Sequence, residues 1–355
     1  MTACNTGDAR LPAEWEPQAA ILLAWPHAGT DWAERLEDVE ETYIALVAAI
    51  TRFQRVLLCV ADEDIEAYAR ARLSSARIDM DRITFATVPY DDTWLRDSGP
   101  ITLVGGDNGA CVLDFRFTAW GGKFEAGQDD RIIERLHEMG IFSNSGRQSI
   151  DFALEGGAID VDGTGTLLST WQCLHERHPD AGRDQISTKL AAWLHQDRVL
   201  WLDHGYLEGD DTDAHIDTLA RFAAPDAIVF QACDDPDDSH YPELQAMAAE
   251  LAALRTRDGQ PYRLFPLPWP QPIVDEDASG NTRRLAASYA NFLIVNGAVL
   301  IPAYGDPADG LAAGVIAQAF PDREVVQVPC RALIWQNGSL HCLTMQLPAG
   351  TVAPP

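Results

Sequence analysis

Five times along the chain, a polar cluster containing Gly, Asp, Asn or His runs straight into an apolar, strand-like segment. The five are WLRDSGPITLV (94–104), LEGGAIDVDGTGTLLS (154–169), AHIDTLARF (214–222), YANFLIVNGAVLIP (289–302) and GSLHCLTMQ (338–346). With Asp97, Glu155, His215, Asn291 and Cys342 as markers, successive gaps fall between roughly 50 and 80 residues, which suggests a divergent internal repeat. Helical periodicity fills several intervals, over 130–139, 183–194, 241–255 and 308–319. Ahead of the first cluster come ILLAW (21–25), a helical pattern from an N-cap at Asp31 to Phe53, VLLCV (56–60), a helix over 64–73 and ITFATV (83–88). Strands alternating with helices predict an α/β fold. Five such units would close into a ring with every polar cluster at its centre. No linker divides the chain, so residues 1–355 are expected to form one domain, and the Pro-rich stretch 266–281 reads as a long surface loop.

The markers include residue types that carry chemistry. Cys342 follows a Gly-Ser turn and adjoins a His; a thiol becomes a nucleophile where a base or a positive neighbour raises its thiolate fraction. His215 and Asp217 form His-x-Asp, which on a strand puts both side chains on one face, an arrangement suited to acid–base work. A structural His, or a metal-ligand pair with the acidic loop 233–240, are the other readings of that motif, although no regular ligand spacing appears. Asp97 and Glu155 are carboxylates in glycine-flanked, turn-like settings, and Trp94 beside Asp97 offers a face on which a planar cation can stack. A guanidinium is planar, permanently charged and rimmed with N–H donors that carboxylates match bidentately. Hydrolysing it needs a strong nucleophile, acids to hold the cation and a proton shuttle. One Cys, several acids and one His are that kit.

Composition narrows the partners. Fifty-four acids against 26 bases give a net charge of −28, and Lys123 and Lys189 are the only lysines. Nothing here would neutralise a nucleic-acid backbone, whereas a cation would be drawn to such a surface. No apolar run approaches the roughly 20 residues of a membrane span, and the start shows no secretory pattern. The seven cysteines, Cys4, Cys59, Cys111, Cys173, Cys233, Cys330 and Cys342, are odd in number and lack a CxxC pair. Reduced thiols in a cytoplasmic protein are expected, with Cys59 and Cys111 as small core residues.

Together, LPAEWEPQAAILLAWPH (11–27), YDDTWLRDSGP (90–100), LDFRFTAWGGKF (113–124), LEGGAID (154–160), DDTDAHIDTLARF (210–222), LAASYANFLIVNGAVLIPAYGD (285–306) and GSLHCLTMQLP (338–348) resemble the agmatine deiminase family. That family is related to bacterial peptidylarginine deiminase, among the guanidino-group-modifying enzymes of pentein fold. The resemblance spans nearly the whole chain. It implies a five-bladed β/α propeller with pseudo-fivefold symmetry, built of ββαβ-like units. It also implies that Cys342 attacks the guanidinium carbon to form an amidino-thioether. His215 would protonate departing ammonia and then activate water. Asp97 and Asp217 would clasp the guanidinium nitrogens, Glu155 would bind the cation and assist proton transfer, and Trp94 would line the channel. Agmatine is the implied substrate, with peptidyl-arginine or free arginine as the alternative. No metal or organic cofactor is implied, and relatives are often homodimers or larger. The chain departs from the family pattern at GDDTDAH, at His178 and at CLTMQLP, which flank the five catalytic positions without changing them.

Overall fold

The computed structural model describes residues 7, 9–106, 109–142, 145–276, 280 and 282–352. QAAILLA is apolar on both faces, and such a run belongs in a strand covered on both sides. Gln18–Ala24 pairs in parallel with Arg55–Val60, which pairs in parallel with Ile83–Thr87. The helices Leu36–Thr51 and Glu63–Ser75 make the crossovers that parallel strands require. On its other side Gln18–Ala24 pairs antiparallel with Met345–Pro348, giving a four-stranded sheet.

Four three-stranded sheets repeat this plan of a hairpin, a helical crossover and a parallel third strand. Ile101–Gly106, Gly109–Arg116 and Gly146–Ala153 enclose the helix Ile132–Glu138. Ile159–Val161, Thr166–Thr170 and Arg198–Leu202 enclose Trp171–Arg177 and Arg183–Leu194. Ala220–Ala224, Ala227–Gln231 and Arg263–Leu267 enclose Tyr241–Ala253. Leu293–Val295, Ala298–Ala303 and Glu324–Pro329 enclose Asp309–Ala319. The fold is therefore α/β, as the alternation predicts.

In each of these five sheets one edge strand directly follows a polar cluster. Ile101 comes after Asp97, Ile159 after Glu155, Ala220 after His215, Leu293 after Asn291 and Met345 after Cys342. Bare edges invite foreign strands. Here Ile159–Val161 and Leu293–Val295 are wholly buried, and the turns before neighbouring edges pack on one another. Helices tie adjacent units together. Leu36–Thr51 buries Val39, Tyr43, Leu46, Val47 and Ile50, and it lies against both Arg55–Val60 and Glu324–Pro329. Each such side chain taken from water contributes about 1.5–3 kcal/mol.

Three local expectations are corrected. The first helix starts at Leu36, after a 3-10 turn over Ala33–Arg35, and Asp31 does not cap it. The buried Trp32 indole donates to Thr93 Oγ1 at 2.8 Å, and the turn follows that side chain inward. Residues 266–281 are not a plain loop. Val274–Glu276 pairs antiparallel with Thr282–Arg284, and Asp275 binds Arg35 at 2.9 Å, while residues 277–279 and 281 lie outside the described residues. Cys59, Cys173, Cys233, Cys330 and Cys342 are buried free thiols, but Cys111 is disulfide-bonded, a pairing that scattered spacing does not reveal. Cys4 lies outside the described residues. Among those residues, no helix is long and apolar enough to cross a membrane.

Candidate active site

Each marker stands on a tight turn just ahead of its edge strand. Asp97 sits on the single turn Leu95–Ser98, Glu155 precedes the 3-10 turn Gly156–Ala158, and His215 precedes the 3-10 turn Ile216–Thr218, which holds Asp217. The His-x-Asp motif is thus on a 3-10 turn and not on a strand. Residues two apart on such a turn diverge, so His215 and Asp217 reach different partners. They still meet around Gly157. A Cβ there would lie 2.6 Å from His215 Nδ1, 2.7 Å from Asp97 Oδ1 and 3.2 Å from Asp217 Oδ2. Only glycine leaves room for these three groups to converge. The Gly157 N–H in turn donates to Asp97 Oδ1 at 3.0 Å.

His215 is wholly buried, with Nδ1 3.6 Å from Asp97 Oδ1 and Nε2 3.6 Å from Glu155 Oε2. Asp97 Oδ2 accepts from Trp120 Nε1 at 2.9 Å, and Glu155 Oε1 accepts from Arg177 Nε at 2.7 Å. Asp217 Oδ2 faces His341 Nδ1 at 2.7 Å and lies 3.7 Å from Cys342 Sγ. Asn291 brackets the nucleophile: its Nδ2 is 3.2 Å from Cys342 Sγ, and its Oδ1 accepts from the N–H groups of His341 at 2.9 Å and Cys342 at 3.3 Å. Four buried atoms at this centre have no hydrogen-bond partner within the protein: Glu155 Oε2, Asp217 Oδ1 and both ring nitrogens of His215.

Burial and crowding set the charges. Burial pushes Asp97 up to about 6; His215 opposes the rise, while Asp217 and Glu155 add to it. Burial also disfavours the ionised form of Glu155, but His215 and Arg177 outweigh it and hold that carboxyl below its ordinary range. Asp217 is likewise lowered against burial, by His341, His215 and Arg221. For His215 burial favours the neutral ring, yet Asp97, Cys173 and Glu155 keep it protonated well above the ordinary imidazole range. Burial, then Asp217 and Asp97, push Cys342 well above the ordinary thiol range, so its resting form is the thiol.

A cavity of about 420 Å³ reaches down to Asp97 and Cys342, with Trp94 on its wall; His215, Glu155 and Asp217 lie behind them. Gly338 lets the Trp94 ring approach, since a Cβ there would meet that ring at 2.3 Å. Six acidic side chains line the cavity with Asp97, those of Asp31, Asp91, Asp92, Glu125, Asp129 and Asp211, burial pushing Asp92 and Asp129 up to about 7, and among the described residues no Lys or Arg does. No described residue of 233–240 or 266–281 lines it. Asp238 of the acidic loop is instead bound to Arg284 at 2.7 Å and to Trp269 at 2.9 Å. Among the described residues, Glu155, Cys173 and His215 could present three donor atoms to a metal within 4.8 Å of one another. His215, kept protonated, and Cys173, held above the ordinary thiol range by burial, do not offer the lone pairs a metal needs.

The structure brings together all five expected catalytic residues and Trp94. The reading of the sequence used Asn291 only as a repeat marker and His341 only as the neighbour of Cys342, and it assigned no site role to Arg177, Trp120 or Glu14. Trp120 and Glu14 lie in segments that carry the resemblance, but no spacing rule links them to their partners.

Residues 10–348 match the family model described as Porphyromonas-type peptidyl-arginine deiminase. An agmatine deiminase of Stutzerimonas stutzeri is 35% identical over 360 residues, covering 96% of this chain and 95% of that protein. The agmatine deiminase of C. jejuni, solved with substrate bound, superposes with a TM-score of 0.87 at 34% identity, over 96% of this chain and 97% of that one. A Porphyromonas gingivalis structure, named provisionally as an arginine deiminase, gives 0.89 at 43% identity, over 97% and 100%.

Proposed function

The chain belongs to the Porphyromonas-type peptidyl-arginine deiminase family, and from that membership and its site we propose that it is an agmatine deiminase, hydrolysing agmatine to N-carbamoylputrescine and ammonia. It is a hydrolase of C–N bonds in linear amidines. The observation that carries the reading is the pair of fully buried carboxylate oxygens, Glu155 Oε2 and Asp217 Oδ1, that have no hydrogen-bond partner within the protein. A buried unpaired acceptor costs about 1–3 kcal/mol, and a guanidinium rimmed with donors removes that penalty at both. The cavity wall favours agmatine over arginine. Its acidic side chains attract the ammonium at the far end of agmatine, and a free α-carboxylate would meet repulsion with no described Lys or Arg on the wall to pair it.

In this reading Asp97 and Asp217 clasp the guanidinium nitrogens, Glu155 holds the cation and assists proton transfer, and Trp94 lines the channel. The bound cation offsets the charges that keep Cys342 protonated, the thiol releases its proton to solvent through the cavity, and the thiolate attacks the guanidinium carbon. His215 gives its proton to the leaving nitrogen, ammonia departs, and an amidino-thioether remains. Neutral His215 then takes one proton from water, whose oxygen adds to the same carbon; the C–S bond breaks, and the proton left on that oxygen passes to the departing Cys342 sulfur as the ureido carbonyl forms. No metal or organic cofactor takes part. We read the five ββαβ units as the blades of one pentein propeller domain, because all five edge strands begin beside this site. We keep a cytoplasmic setting on the strength of the five buried free thiols of the described residues, the nucleophile among them, against the one disulfide at Cys111.

A side-by-side assay of ammonia and ureido product with agmatine, L-arginine and an arginyl peptide tests the function. Turnover of agmatine in clear preference is expected. No turnover of any of the three would sink the reading, and turnover of the peptide alone would transfer it to peptidyl-arginine.

A further inference from the structure

Behind the clasp lies a buried chain of charged groups that the chemistry above leaves unused. His341 joins two carboxylates, with Nδ1 at 2.7 Å from Asp217 Oδ2 and Nε2 at 2.8 Å from Glu14 Oε2. Glu14 is fixed in turn from three segments. Its Oε2 accepts from Arg221 Nη2 at 2.7 Å, its Oε1 accepts from the Ile294 N–H at 2.7 Å, and Arg96 Nη2 stands 3.7 Å away. None of these side chains is more than about 5% exposed.

We propose that His341, braced by Glu14, is a positioning residue for the deiminase reaction, holding Asp217 by Oδ2 so that Oδ1 is presented to the guanidinium. The proposal rests on the reading of Asp217 as half of the clasp. The geometry supports it in two ways. The bond to His341 accounts for one oxygen of Asp217, and the other is the buried atom with no partner. Without His341, the hydrogen-bond partner that Oδ2 keeps among the described residues is the Cys342 thiol at 3.7 Å, and a carboxylate turned toward its own nucleophile no longer faces the substrate.

The same bond controls charge. The groups facing Asp217 are His341, His215, Arg221, Arg96, Asp97 and Cys342; those facing Glu14 are His341, Arg221, Arg96, Arg323 and Asp160. Burial favours the protonated form of Asp217, and His341 is the largest influence against it. Removing the His341 N–H therefore raises the pH at which Asp217 gains a proton. Asp97, held up to about 6, already sets the acid limb of kcat/KM, so the loss of His341 is read in KM above that pH.

The test compares agmatine kinetics between about pH 5 and 9 for the unsubstituted enzyme, His341→Leu, His341→Asn and Glu14→Gln, with circular dichroism to count folded protein. His341→Leu is expected to raise KM for agmatine about tenfold to a hundredfold, far more than it lowers kcat. His341→Asn, whose amide can still reach Asp217, should recover most of that KM. A structural role alone predicts loss of folded protein, an unmoved KM in what remains folded, and no recovery. A KM in folded His341→Leu within a few-fold of the unsubstituted enzyme overturns the proposal. Should His341→Leu not fold, an unmoved KM in Glu14→Gln does so instead. Absence of agmatine turnover by the unsubstituted enzyme overturns the functional reading, and this proposal with it.

Discussion

Asp97 holds a proton up to about pH 6, because burial and the neighbouring Asp217 and Glu155 outweigh the attraction of His215. As a clasp it must be ionised, so kcat/KM for agmatine should fall as pH drops through about 6. A bound cation favours the carboxylate, and the acid limb of kcat should therefore lie at lower pH than that of kcat/KM. Coincident limbs in the two profiles would remove Asp97 from the clasp. At this scale the residue types were legible: a Cys, a His and acids in glycine-flanked turns are what guanidinium hydrolysis needs. Their partners were not. Arg177 meets Glu155 across 22 residues of sequence, His341 meets Asp217 across 124 and Glu14 across 327. Such pairings are decided by packing, and no local pattern encodes them.

Among the elements, the turns matter more than the strands they precede. Gly157→Ala places a methyl group within 2.7 Å of both His215 and Asp97, so these side chains must shift apart. Displacements of this size in a catalytic array are expected to lower kcat/KM about a hundredfold with folding intact. Kinetics of the folded variant within a few-fold of the unsubstituted enzyme would show that the three groups need not converge at Gly157. Regular elements were well read where periodicity is long. The helix expected over 183–194 is Arg183–Leu194, and that over 308–319 is Asp309–Ala319. Short elements escaped, because Asp31 looks like a cap only until the burial of Trp32 is known. His-x-Asp likewise looks like a strand until the 3-10 turn is seen. Between elements, Arg221 is 1% exposed and binds Glu14, Asp160 at 3.2 Å and the Phe292 carbonyl at 2.9 Å. Arg221→Leu strands two buried carboxylates and is expected to lower stability by about 3–5 kcal/mol, measured by urea unfolding.

For the whole molecule, the net charge of −28 and the acid-lined cavity act in the same sense on an approaching dication. Raising ionic strength to about 0.5 M is expected to lower kcat/KM for agmatine on the order of tenfold by weakening this attraction, while kcat holds. A salt-independent kcat/KM would mean that the acidity serves another end, such as solubility. The α/β class and the repeated unit were legible in the sequence because each unit carries its own polar marker and its own apolar run. The Cys111 disulfide was not, since spacing alone does not pair thiols. One sheet has a wider consequence. Met345–Pro348 lies against Gln18–Ala24, and the Ala349 N–H donates to the Pro17 carbonyl at 2.9 Å. Sequence order and spatial order part company there. Linking the chain beyond Ala349 to the segment ahead of Glu14, and opening it at the exposed 257–259 turn, would give a circular permutant in which every residue of the centre, Glu14 included, is retained.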